Sequence, residues 1–429
     1  MKRKAMVWLC AVLAAVTLLA MNVSAADYTG CADTLSELGL FKGTGNVKDP
    51  YELDRAPNRY EAAVMLVRLL GKEQAALAES NQHPFTDVPA WAGKHIGYLY
   101  QNGLTRGSSA TQYGGGTCTA QMYATFVLRS LGYSDGAAAD FTYAEAVEAA
   151  QSLRLYQNDG SAFLRDDAVS MSYNALGAQR KQGGMLLDKL VSDGAVESAK
   201  AQALRANFET YRAYAACHDT FTSAYALDMS SENVTTIELP GLSMKTEAKS
   251  RTQLSVESAL RYANVTETTA VGKTTRQEVY FTGSELYLND NGAKEKYTCP
   301  PDQALQYLPT SDFVSEPLLL CDVESITVAT ANGETVYTIK ADAAIQRVVK
   351  SMLSAEEFSS IQNLACAMRA VTKNGVLDRL ETTASFQMKH AGVEANTSIE
   401  MTGRVNAVDA GVTVASPASP EKYKDGGAL

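Results

Sequence analysis

The chain has 429 residues, with 38 Lys+Arg against 48 Asp+Glu and a formal net charge of -10; such a length holds roughly two to four domains. With 46% hydrophobic and 20% charged residues it can bury ordinary cores, which excludes wholesale disorder. A pI near 5.1 excludes a phosphate-backbone binder, which needs clustered Lys and Arg to release counterions, so nucleic acid is not an expected partner.

Residues 1–26 read as a secretory signal peptide: Lys2, Arg3 and Lys4, an apolar run from Ala5 to Met21 broken only by Thr17, then the small residues Ser24, Ala25 and Ala26. The run falls short of the ~20 residues that span a bilayer, so the expectation is a cleaved leader and an exported protein. Beyond Cys10 lie Cys31, Cys118, Cys217, Cys299, Cys321 and Cys366. They are sparse and form no C-x-x-C, so most are expected as small buried apolar residues, with room for one or two bridges and the pairing open.

Three segments of the next stretch align without gaps: Asn58–Gly71, Thr119–Gly132 and Leu164–Gly177. Each has apolar residues at helical spacing and ends in Leu-Gly, with the glycine suited to a left-handed helix stop. Asn58 with Glu61 forms a capping-box variant, Thr119 keeps the cap, and Leu164 cannot supply one. Each repeated helix follows a shorter one that ends in a turn: Gly39-Leu40-Phe41-Lys42-Gly43, Gly103-Leu104-Thr105-Arg106-Gly107 and Arg154-Leu155-Tyr156-Gln157-Asn158. Three such units bury their faces against one another, giving repeats over 27–82, 83–138 and 139–184. Trp91, at the start of the second repeat's first helix, is expected as a core anchor between helices.

A helical connector is expected over 185–218, running through Leu186, Leu187 and Leu190 to about Cys217. From about Tyr225 the period switches to two, and Asn291-Gly292, Asn332-Gly333 and Asn374-Gly375 each sit between alternating runs, a strong hairpin signal. Helices over 343–353 and from 354 to 358 interrupt this pattern. The expected fold is therefore α plus α+β: a helical triplet, then a curved antiparallel sheet with a few helices over 219–416, and a flexible tail over 417–429.

The pieces Phe85-Thr86-Asp87-Val88-Pro89-Ala90-Trp91-Ala92, Gly103-Leu104-x-x-Gly107, Asn58-Arg59-Tyr60-Glu61 and Arg68-Leu69-Leu70-Gly71 resemble the S-layer homology repeat. That resemblance implies a secreted protein held at the cell wall or cell surface of a bacterium, and non-covalent binding of an anionic secondary cell-wall polysaccharide, often pyruvylated. The family's Thr-Arg-Ala-Glu motif implies that its Arg meets the glycan carboxylate. The Arg position is Arg59, Ala120 and Arg165 in the three copies, and the Glu position is Glu61, Met122 and Asp167, so copy two departs from the pattern at both. A planar guanidinium suits a carboxylate through two charge-assisted bonds. Lys42 and Arg106, in matching turns, are candidate supporting contacts. Arg59 and Arg165 can equally be read as first-turn surface residues paired with carboxylates.

The four histidines, His83, His95, His218 and His390, have no metal spacing. Gly132-Tyr133-Ser134-Asp135-Gly136 matches G-x-S-x-G but follows a helix rather than a strand. The reading is a non-enzymatic binding protein with no cofactor and no metal. The second half more weakly resembles the half-barrel domains of exported lipoproteins and lipoprotein carriers. That implies an alternative: a wall-tethered carrier or sensor of a lipid or other amphiphile.

Overall fold

A computed structural model describes residues 28–78, 81–136, 139–157, 161–304, 307–308, 318–342, 361–390 and 393–429. The leader over 1–26 and the helices expected over 343–353 and 354–358 lie outside the described residues. The chain divides into two units. A helical unit runs to Arg212 and takes in Leu318–Val323; a sheet unit comprises Ala213–Pro317 and Glu324–Leu429.

The helical unit contains α1 (Thr29–Glu37), α2 (Arg59–Leu69), α3 (Glu73–Ala78), α4 (Ala90–Gln101), α5 (Ala120–Ser130), α6 (Ala146–Ser152), α7 (Arg165–Gly177) and α8 (Leu186–Ser192). The first helix of each repeat ends in the same hydrogen-bonded motif. The N–H groups of Leu40, Leu104 and Leu155 donate to the carbonyls of Leu35, Leu99 and Ala150, each at 2.8 Å. Such a bond needs a left-handed residue just before it, and Gly39 (φ +76°), Gly103 (+70°) and Arg154 (+55°) supply it. Leu40 and Leu155 are buried and Leu104 is half-buried.

The second helices start as their caps dictate. Asn58 Oδ1 accepts from the Glu61 N–H and Glu61 Oε2 accepts from the Asn58 N–H, both at 2.9 Å. Thr119 Oγ1 accepts from the Met122 N–H at 3.3 Å. Leu164 has no side-chain acceptor, but Asp167 Oδ2 accepts from its N–H at 2.7 Å, so half of the box survives. The stops differ from expectation in one copy. Gly71 (φ +64°) and Gly132 (+89°) are left-handed, whereas Gly177 is the last helical residue of α7. Gly177 is small for a packing reason: a Cβ there would lie 2.7 Å from Leu320 Cδ2 and 3.3 Å from the Phe208 ring.

Packing closes the three repeats into a ring. The second helix of each repeat lies against the first helix of the next: α2 on α4, α5 on α6, and α7 on α1. The second helices also meet one another, α2 with α5 and α5 with α7. Each apolar face is thereby covered by a neighbouring repeat, which is why no single repeat could bury its own core. Trp91 does not anchor this core. Ala92, Ile96 and Leu99 form the buried face of α4, and Trp91 falls beside it, 55% exposed. The connector also differs from the single helix expected. It breaks at Gly194 (φ +71°) between α8 and α9 (Ser198–Thr222).

The sheet unit is one curved, unclosed sheet of twelve strands in the order β12-β6-β5-β4-β3-β2-β1-β11-β10-β9-β8-β7. The strands are β1 (Ala226–Leu239), β2 (Leu242–Ser255), β3 (Arg261–Ala270), β4 (Lys273–Phe281), β5 (Glu285–Asp290), β6 (Ala293–Thr298), β7 (Ser325–Ala331), β8 (Glu334–Lys340), β9 (Ile361–Lys373), β10 (Val376–His390), β11 (Val393–Val408) and β12 (Lys424–Ala428). Every pair is antiparallel except β12 with β6. The three Asn-Gly turns join β5–β6, β7–β8 and β9–β10, with both residues of each at positive φ. The join of β3 to β4 uses Val271-Gly272 in the same conformation.

Side chains alternate between the two faces, and both faces carry apolar clusters. Tyr262, Phe281, Leu286 and Cys299 form one, Tyr280, Tyr287 and Tyr423 another, and Ile237, Phe386, Met388 and Ile399 a third. At the centre, the buried Asp228 carboxylate accepts from Arg251, Gln253 and Asn406, which ties β1 to β2 and β11. Within 417–429, expected as a flexible tail, Lys424–Ala428 instead form β12 beside β6. Tyr423 is 5% exposed and meets the Tyr287 ring edge-on at 5.2 Å, an anchor that the Gly- and Pro-rich composition of the segment conceals.

Candidate functional site

A cavity of about 360 Å³ opens in the second repeat of the helical unit, with Arg59 of the first repeat and Tyr143 of the third in its lining. Arg59, Arg106, Gly107, Ser108, Met122, Thr125, Phe126, Arg129, Asp135 and Tyr143 line it. Three guanidinium groups thus face one carboxylate.

Each cation is placed by the repeat architecture. Arg59, in the first turn of α2, reaches into the loop that follows the Gly103 turn. Its guanidinium donates to the carbonyls of Tyr113 and Arg106, the latter at 2.6 Å, and its Cζ lies 4.3 Å from the Tyr113 ring centroid. Its Nε is buried and has no partner among the described residues. The loop is fixed in turn by Asp87, whose carboxylate accepts from the Tyr113 and Gly114 N–H groups at 2.7 and 2.8 Å. Tyr60 fills the space a side chain at Gly115 would need, and donates through its phenol to the Asp87 carbonyl at 2.7 Å.

Arg129, on α5, forms a bidentate pair with Asp135 at 3.1 and 2.6 Å and donates to the Leu104 carbonyl at 3.0 Å. The Arg129 guanidinium holds the Asp135 carboxyl below the usual carboxylate range, with burial opposing the shift. Arg106 stands 3.9 Å from Asp135 with 67% of its side chain exposed, so its head remains available to solvent. Met122, Phe126 and the half-exposed Tyr143 supply an apolar wall opposite.

The sequence candidates therefore separate. Arg59 and Arg106 are brought together in this cavity. Lys42 pairs with Glu73, which Arg68 also contacts at 2.8 Å. That trio repeats the Arg106–Asp135–Arg129 arrangement one repeat earlier. Glu61 is engaged by the Arg55 guanidinium at 2.6 and 3.0 Å, and Asp167 is engaged in its cap. Arg165 is 3% exposed, donates through Nε to the Tyr51 carbonyl at 2.8 Å and lies over the Phe41 ring at 5.8 Å. Arg59 and Arg165 are thus equivalent struts onto the loop of a neighbouring repeat, paired with carbonyls rather than carboxylates. Sequence reasoning did not nominate Arg129, Asp135, Met122 or Tyr143. Aligning Arg68 with Arg129 was the available signal, with Glu73 and Asp135 following five and six residues later.

Other candidates resolve into structure. Ser134 of the G-x-S-x-G match accepts from the Gly136 N–H in the loop after α5. His95 is buried on α4, and His83 stacks on Phe85. Among the described residues, no group of three His, Cys, Asp or Glu could hold a metal ion, and no helix is long and apolar enough to cross a membrane.

A family model described as X-prolyl dipeptidyl aminopeptidase PepX, N-terminal, matches residues 114–195. That span is under a fifth of the chain and contains no histidine. No curated protein matches the sequence. Solved structures match just under half of the chain at low identity. LprF from Mycobacterium bovis is 12% identical, with 49% of this chain and 98% of that chain covered and a TM-score of 0.29. A DUF1329 family protein from Desulfovibrio piger is 11% identical, with 47% and 93% covered and a TM-score of 0.19. The ywiB protein from Bacillus subtilis is 8% identical, with 44% and 99% covered and a TM-score of 0.15.

Proposed function

We propose that the helical unit is an attachment module of the S-layer homology type, and that the protein is a non-enzymatic, exported surface protein held to an anionic cell-wall polysaccharide. The observation that carries this reading is the cavity with three guanidinium groups and one carboxylate. Its charge follows from the departure in copy two. Where the other copies have Glu61 and Asp167, this one has Met122, so Asp135 is the one carboxylate set against three guanidinium groups in the lining. A sugar carboxylate would take two charge-assisted bonds from Arg106, while Met122, Phe126 and Tyr143 cover an apolar face such as a ketal methyl or a ring.

The test is sedimentation of the full chain with native cell walls and with walls stripped of secondary polymer. Binding to native walls alone is expected. Arg106→Ala and Met122→Glu should each weaken it about 5- to 150-fold, the effect of ~1–3 kcal/mol for a charged hydrogen bond. Unchanged binding by both natively folded variants would refute the site. Equal binding to both wall preparations would refute the polysaccharide.

A second reading concerns the sheet unit. Its cluster of Ile237, Phe386, Met388 and Ile399 is bordered by half-buried Met244, Ile361, Leu364 and Met368, side chains adaptable enough to accept an acyl chain. A carrier or sensor of an amphiphile would retain lipid through purification. Mass spectrometry of an organic extract decides this, and an extract without lipid counts against it.

A further inference from the structure

The six cysteines beyond Cys10 are all buried thiols. Two of them converge. Cys31 lies in the first turn of α1, and Cys321 lies in the short helical turn Leu320–Asp322. The Cys31 Sγ is 3.8 Å from the Cys321 carbonyl oxygen, across 290 residues of sequence. Two of the other thiols have only local contacts of this kind among the described residues: Cys118 Sγ lies 3.6 Å from the Thr119 carbonyl oxygen and Cys299 Sγ 3.5 Å from that of Pro300.

The backbones on both sides of the two sulfurs are pinned. The Tyr211 phenol donates to the Leu318 carbonyl at 2.7 Å, and the Cys321 N–H donates to Asn174 Oδ1 at 2.7 Å. Asn174 Nδ2 reaches the Cys321 sulfur at 3.4 Å. The Tyr28 phenol, just ahead of α1, donates to Asp322 Oδ1 at 3.1 Å. A disulfide requires two Cβ atoms held within about 4.5 Å, and such pinning on each side favours that approach.

We propose that Cys31 and Cys321 form the disulfide of this protein and fasten Leu318–Val323 to the first helix of the helical unit. The step is thiol–disulfide exchange with a small-molecule or protein disulfide. One thiol loses its proton and attacks a sulfur of the donor, giving a mixed disulfide and releasing one donor thiol. The second cysteine, also deprotonated, displaces the other donor thiol. The protein loses two electrons and two protons, and the donor disulfide is reduced to two thiols. Burial pushes the Cys31 thiol well above its usual range, so exchange takes place before α1 packs, and the bond is shielded once formed.

The test uses the full chain, equilibrated in a glutathione redox mixture, alkylated, and digested with trypsin and a protease that cleaves on the N-terminal side of aspartate. The second enzyme separates Cys299 from Cys321 ahead of Asp302 and Asp312. The expected product is the peptide 312–321 joined to the peptide that holds Cys31, two hydrogens lighter than their sum and parted by reductant. Cys118→Ala should keep the link and Cys31→Ala should lose it, and the thermal midpoint of the unaltered chain should drop on reduction. Six alkylated cysteines after the redox step, or a link from Cys31 or Cys321 to a third cysteine, would overturn the assignment. The map of the unaltered chain decides it even if a variant fails to fold.

Discussion

Arg59 and Arg165 occupy the same place in their repeats and meet the same chemistry: carbonyls of a neighbouring loop and the face of an aromatic ring. A positive charge in a helix's first turn is unfavourable toward the helix dipole, and these carbonyls offset that cost. The carboxylates nearby are committed to similar ties, and this makes stability depend on pH. Burial works to raise the Glu61 carboxyl, but Arg55 and the Asn58 N–H outweigh it and hold it low. Arg129 lowers Asp135, and Arg251 with its neighbours outweighs burial at Asp228. An unfolded carboxylate titrates near about pH 4. With folded values depressed, these groups contribute fully above that point, and the contribution is lost as pH falls through the folded values. Thermal melts followed by circular dichroism should show a midpoint that is level between about pH 7 and 5 and drops steeply below about 4. A midpoint that holds down to about pH 3 would contradict this account.

At the level of elements, two glycine-containing segments separate local propensity from packing. Gly97 is in the middle of α4, where Ala is the better helix former by ~1 kcal/mol. A Cβ at Gly97 would lie 2.5 Å from the Asn81 carbonyl oxygen, so Gly97→Ala should instead destabilise by about 1–3 kcal/mol in urea denaturation. The turn between β3 and β4 runs the other way. Val271 sits at φ +51° with its side chain 88% exposed, a strained conformation for a β-branched residue. Val271→Asn creates the Asn-Gly turn used by three other hairpins and should stabilise by about 1 kcal/mol in the same experiment. A loss of stability would mean that the valine makes an undetected contact.

On the scale of the whole molecule, the division into units does not follow the sequence order. Leu318–Val323 belongs to the helical unit although sheet-unit residues flank it. A fragment cut at Arg212 lacks this segment, so binding experiments belong to the full chain. Asn174 is the hinge of this arrangement, bonded to the Leu155 carbonyl at 3.0 Å and to both N–H and sulfur of Cys321. Asn174→Ala leaves the Leu155 carbonyl and the Cys321 N–H without that partner in a buried site, which should cost about 2–4 kcal/mol. It should also admit protease at 318–323 under conditions in which the unaltered chain resists. Equal resistance would show that the segment is held by its apolar contacts alone.

What the sequence determined by itself was whatever depends on neighbours within a few residues. Asn58 with Glu61 starts a helix, Gly39 and Gly103 end one, and Asn291-Gly292, Asn332-Gly333 and Asn374-Gly375 turn hairpins, because each bond closes within about five positions. The α plus α+β class was legible for the same reason. Half of the candidate cavity was legible too, since Arg59 and Arg106 lie in repeated motifs. Only the tertiary structure could decide which repeat each helix packs against, that Arg165 is buried while Arg106 is exposed, that Trp91 falls outside the core, and that Cys321 lies beside Cys31. Those outcomes depend on groups 50 to 290 residues apart, and their spacing carries no local energetic signature.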